Sequence, residues 1–234
     1  DVILIIMLVV ITLLIYNVNF FSKEKYRIYN FNDLESIESY NVDRLKELNG
    51  GVNPTIYYNE NGLVKGIYGK YTYMTINNGK DAIRSLYNIK DLFGMNNPAK
   101  EFIVDKEMRQ ENQVIYRLQQ VYNGYLVYSN QIIITVNENG ESTSISGKYT
   151  PVSNISFDNK VDKEEAIKIA KQYSYDGRGS KYKSEKVVYI QNDDSARVAW
   201  MIRYNNINNI TKDKIMFIDA EDRKLLSEMP LVIN

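Results

Sequence analysis

The sequence predicts an α+β chain: an amino-terminal transmembrane helix, then two subdomains that each set an antiparallel sheet against a helix. Three observations carry this. Residues 2–16 read VILIIMLVVITLLIY, with Thr12 the only polar side chain. Residues 101–150 alternate polar and apolar positions and are broken by Asn123-Gly124 and Asn139-Gly140, a run of hairpins. Residues 162–228 read as one helix followed by strands.

At ~1.5 Å per residue the apolar run spans about 22 Å, and about 30 Å if carried to Phe21, the thickness of a hydrocarbon core. Tyr16, Phe20 and Phe21 would lie at its interface. The following NVNFFSKEKYR has no small-residue cleavage site, which favours an uncleaved anchor over a signal peptide. Lys23, Lys25 and Arg27 after the run would by charge alone face the cytoplasm. The extracytoplasmic placement of the carboxy-terminal part rests on the family resemblance below.

Residues 22–53 are polar and serve as a stalk with a lead-in helix, weakly amphipathic over 33–48 through Leu34, Ile37, Val42, Leu45 and Leu48. Residues 54–76 are rich in Tyr, Thr and Ile, with Asn61-Gly62 at a hairpin turn. A helix is expected over 80–93, capped by Gly94 and stopped by Pro98. Strands follow at 102–108, 114–121, 125–128, 131–136 and 142–149. Pro151 marks the boundary between subdomains at 54–152 and 153–234. Asp162-Lys-Glu-Glu165 opens a helix reaching Tyr173, with Ala166, Ile167, Ile169 and Ala170 on its buried face. A loop over 175–184 leads to strands at 186–191, 196–204, 214–219 and 224–228.

Composition excludes several functions. Lys and Arg number 29 and so do Asp and Glu, so no basic footprint exists for a phosphate backbone and no nucleic acid is expected. The chain has no His and no Cys, which removes the neutral-pH general base, the His-paired nucleophile, the usual zinc site and any disulfide. Carboxylate clusters stand at Asp193-Asp194 and at Asp219, Glu221 and Asp222. The first reads as a solvated hairpin turn. The second lacks the glycine and ligand spacing of a calcium loop. Trp200, the only Trp, reads as core, and one of Gln119 and Gln120 is expected to be buried against backbone. No catalytic residue, cofactor-binding residue or metal ligand is assigned, and the chain is expected not to be an enzyme. The high count of 20 Tyr follows the Asn, Ile and Lys bias of the whole sequence.

Three segments resemble one family. The stretch ending in DLFG at Gly94 resembles the opening of thermolysin-type propeptides. Tyr116, Arg117, Gln119, Gln120, Tyr122, Gly124, Val127, Gln131 and the turn ending at Gly140 resemble the fungalysin/thermolysin propeptide (FTP) motif. KVDKEEAIKIAKQ with AWMIRYN and the FIDA of Phe217 to Ala220 resemble a PepSY domain, although Glu221-Asp222-Arg223 replaces that domain's glycine-containing turn. The resemblance implies a module that inhibits its protease or assists its folding. Without His the chain itself carries no H-E-x-x-H. The expected partner is a protein, a thermolysin-type metalloprotease bound in trans or a sensor protein, and the chain itself is expected to meet the membrane through residues 2–21. The alternatives are an accessory regulator of a cell-envelope sensor kinase, or a proprotein fragment separated from its peptidase.

Overall fold

The hairpin signals of the middle of the chain and the single capped helix of its last third generate one branched sheet. The structure, a computed structural model, describes residues 37–60, 62–174, 180–192, 195–206 and 210–231. The expected transmembrane segment, Asn61 and Asp193-Asp194 lie outside the described residues. Among the described residues no helix is long and apolar enough to cross a membrane.

Helix α1 (Val42–Leu48) begins where the Asn41 side chain accepts from the Arg44 amide, and it buries Leu45 and Leu48. Strands β1 (Thr55–Tyr58) and β2 (Val64–Tyr68) form the expected hairpin. The extended reading of 54–76 stops at Tyr68, and the next residues form a loop that buries Tyr71. The helix expected over 80–93 is broken into α2 (Gly79–Ser85), a 3-10 turn (Leu86–Asn88) and α3 (Lys90–Phe93). Asn88 explains the break. Its backbone carbonyl accepts from the Tyr40 amide at 2.6 Å, its side chain donates to Glu38 O and its Oδ1 accepts from Thr72. Those groups hold the chain before α1 to the turn instead of continuing a helix. Gly94, at φ 70°, caps α3 as expected. Pro98, expected to stop the preceding helix, instead opens another, α4 (Pro98–Glu101), by occupying its first turn.

Strands β3 (Phe102–Gln110), β4 (Gln113–Tyr122), β5 (Tyr125–Asn137) and β6 (Ser142–Gly147) pair in sequence order. The two strands expected at 125–128 and 131–136 are one strand, kinked at Ser129, whose φ is 63°. Helix α5 (Lys163–Gln172) is capped by Asp162, whose Oδ1 accepts from the Glu165 amide at 2.8 Å. Strands β7 (Lys181–Ile190), β8 (Ala196–Asn205), β9 (Lys214–Asp219) and β10 (Leu225–Pro230) form a meander. β7 begins earlier than expected, at Lys181, because it pairs with β8 along its whole length.

The two expected sheets are one. β5 carries β4 along one side. On its other side the carboxy-terminal half pairs with β6, while Leu126 and Val127 pair parallel to Val187 and Val188 of β7. β6 continues to β2 and β1, and β7 to β8, β9 and β10. Helices α1 to α4 cover a first core built on Ile67, Tyr71, Ile83, Leu86, Phe93, Tyr116, Leu118 and Ile134. Helix α5 covers a second around Ile202, Tyr204, Met216 and Ile218. The opposite face of the meander holds Val187, Met201 and Phe217, and Tyr128 of β5 packs into it edge-on to Phe217 at 4.6 Å. Burying aromatic and aliphatic side chains of this size stabilises each core by about 1.5–3 kcal/mol per side chain.

Candidate functional site

Strand β5 changes partner between Tyr128 and Gln131, and a strand that changes partner strands backbone carbonyls without a ladder. Amide side chains fill the gap. Gln119 Nε2 donates to Val127 O at 2.8 Å, Asn130 O at 2.9 Å and Gln120 O at 3.1 Å, and Gln119 Oε1 accepts from Gln131 Nε2 at 3.0 Å. Gln120, displaced from the β4–β5 ladder by a bulge, donates from Nε2 to Thr150 O at 2.7 Å, and its Oε1 accepts from Thr150 N at 3.3 Å. A side-chain amide carries the same donor and acceptor as a peptide unit, so Gln120 treats Thr150 as a neighbouring strand would. Asn130 Nδ2 also donates to Gln120 Oε1, at 2.9 Å. Both glutamines are buried, at 7% and 1% exposure, where one was expected, because the bulge turns the second inward as well. Asn130 and Thr150 were not singled out in the sequence. An Asn inside a strand of β-formers, four residues from one end of the apolar alternation, was the available signal.

The other motif residues are structural too. Tyr116 and Val127 lie in the core. Arg117 pairs with Asp105 on the neighbouring strand. Asn123 and Gly124, at φ 47° and 82°, make the tight turn between β4 and β5. Tyr122 and Tyr125 stack on Phe157 at 6.0 and 5.6 Å, holding the linker to this turn. The Gly140 carbonyl accepts from Ile76 N at 2.8 Å. A side chain there would strike Thr75 Cγ2 at 2.8 Å. The motif therefore builds a joint and leaves little of itself for chemistry.

A polar cleft of about 290 Å³ lies where β8 runs beyond β9, lined by Asn154, Asp158, Ser195, Arg197, Asp219 and Glu221 among others. Asp219 is nearly buried and organises it. Its Oδ1 accepts from the amides of Glu221 and Asp222 at 2.8 and 2.9 Å, and its Oδ2 from Arg197 at 3.0 Å. Arg197 also meets Asp222 at 3.1 Å, and its pKa rises chiefly through the charge of Asp219. Glu221 pairs with Lys160 at 3.1 Å. The carboxylates are thus spent on a turn and two cations. Among the described residues no group of three or more acidic side chains could hold a metal ion. Trp200 is only half-buried: it lies over the second core, its Nε1 donates to Val161 O at 2.9 Å, and Lys186 sits 4.8 Å above its ring.

Large apolar side chains are exposed at one end of the molecule, in α1, β1, β2 and their loops: Val42, Val52, Tyr57, Tyr58, Tyr68 and Tyr73. Among the described residues three strands, β1, β3 and β10, are each paired on one side only.

No curated protein matches the chain. Among solved structures, the chain is similar to one titled Bacillus megaterium YpeB C-terminal domain, at 12% identity and a TM-score of 0.37, over 84% of this chain and 100% of that one. Residues 105–149, which hold the amide side chains of the joint and every residue of the middle resemblance, match the family described as Fungalysin/Thermolysin Propeptide Motif.

Proposed function

We propose that the chain is a non-catalytic, extracytoplasmic protein-binding module, held at the membrane by residues 2–21, that acts in trans on a thermolysin-type protease as an inhibitor or folding aid. The observation that carries the reading is the propeptide motif at residues 105–149. That motif describes a propeptide rather than a catalytic domain. Binding would use open strand edges. β3, in which the motif begins, offers a nine-residue edge that a partner strand can extend. Lys106 and Glu107 on that edge guard it against self-association while leaving its backbone available.

The apolar run at 2–21 favours a second reading, an accessory subunit of a cell-envelope sensor kinase that works through contacts in and beside the bilayer. One titration separates the two. The full chain in detergent is added to thermolysin-type proteases from the same source, and peptide hydrolysis and refolding yield are followed. Saturable inhibition without cleavage of the added chain, or a raised refolding yield, supports the propeptide reading. No effect on either sinks it and leaves the sensor reading, for which replacement of residues 2–21 by an unrelated span should abolish signalling.

A further inference from the structure

We propose that the tyrosine-bearing end formed by α1, β1 and β2 rests on the lipid surface; this relies on the anchor at residues 2–21 proposed above. Every exposed large apolar side chain among the described residues except Tyr173 falls between Val42 and Tyr73. Tyr57 and Tyr68 meet edge to face at 5.5 Å on the solvent side of the β1–β2 hairpin. Tyr40 and Tyr73 meet at 6.4 Å, with the Arg44 guanidinium over both rings at 5.9 and 5.2 Å. The Asn49 side chain ties the two groups together: it donates to Lys70 O at 2.8 Å and accepts from Lys70 N at 2.9 Å, binding the end of α1 to the end of β2.

The chemistry of this end suits an interface. A phenol has an apolar body and a polar tip, the pairing that concentrates Tyr at the headgroup level of bilayers, and cationic side chains lie beside it. The chain itself supplies the surface. Only residues 22–36 separate the apolar run from the described chain, and fifteen residues reach about 50 Å at most when extended. The chain enters at Glu38 and Tyr40, beside Tyr73 and Arg44, so this end is the one tethered nearest the run.

The test uses the full chain carrying Trp200→Phe and Tyr68→Trp, reconstituted into phosphatidylcholine vesicles containing a minority of phosphatidylglycerol, with brominated acyl chains as quencher. Tyr173→Trp in the same background is the control, and Tyr57→Trp replaces Tyr68→Trp if that variant fails to fold. Quenching at position 68 or 57 about twofold stronger than at 173, with a blue-shifted emission, supports contact with lipid. Equal quenching at both positions in a chain that stays with the vesicles through an alkaline carbonate wash overturns the lipid contact and leaves the anchor standing. Release of the chain by that wash overturns the anchor, and the proposal with it. A blue shift at position 68 only in protein-containing native membranes assigns the face to a protein and also overturns the proposal.

Discussion

Replacing Gln119 by Met keeps length and shape and removes the amide that closes the joint in β5. In the folded chain this leaves the carbonyls of Val127 and Asn130 without the donor they share, and Gln131 Nε2 without its acceptor. An unsatisfied buried polar group costs about 1–3 kcal/mol, and the thioether returns a little through apolar burial. We expect a net loss of about 3 kcal/mol, set against a total stability of about 5–15 kcal/mol for chains of this kind. Gln131→Met, which removes one half-exposed bond, should cost about 1 kcal/mol. Urea unfolding of the full chain reads both, followed by Trp200 fluorescence for the second half and by tyrosine near-ultraviolet dichroism for the whole. Both signals should shift together, because β5 belongs to both halves through its pairings with β6 and β7. A Gln119→Met chain within ~0.5 kcal/mol of the parent would refute the account of the motif as a structural joint. A split between the two signals would refute the claim that one sheet couples the halves.

Four further outcomes are expected. Gly147→Ala should abolish the β5–β6 pairing or cost more than ~3 kcal/mol, because φ is 148° and a Cβ would strike the Gln131 carbonyl and lie 2.9 Å from Ile132 Cα. Gly66→Ala, whose Cβ would meet Ser146 Cβ at an ordinary 3.4 Å, should stay within ~1 kcal/mol in the same urea assay. Asp219→Ala should cost about 2–4 kcal/mol by freeing two turn amides and the Arg197 guanidinium, read as a lower thermal midpoint with unchanged secondary structure. Burial raises the pKa of Tyr71 and Tyr149 above the ordinary 10.0, and Glu101 raises Tyr149 further. Both therefore stay protonated in the folded chain after the unfolded chain has ionised. Their contribution is complete below about pH 10 and is lost as pH rises through the folded values. Tyr149→Phe should accordingly shrink the fall in urea midpoint between about pH 9 and pH 11, and an unchanged fall would count against it.

What the sequence determined alone is local. Asn123-Gly124 dictates a tight turn because two consecutive residues must take positive φ, and Asp162 dictates a helix start because its carboxylate satisfies a free amide. The alternation from Ile132 to Val136 marks which side chains of β5 face the core, and no His or Cys was available for nucleophile or zinc chemistry. The resemblance of residues 116–140 to the propeptide motif was also legible, and it lies within the matched stretch. Only the tertiary structure decided the rest. Asn88 breaks a helix that its own sequence favours, because its carbonyl accepts from Tyr40, 48 residues earlier in the chain. β5 runs unbroken past Ser129 because Gln119, Gln120 and Asn130 satisfy the kink from the neighbouring strand and across it. Two expected sheets become one because Leu126 and Val127 find β7, some sixty residues further on. In each case the deciding partner is distant in sequence, and periodicity within a window cannot contain the energy of a hydrogen bond to a residue outside it.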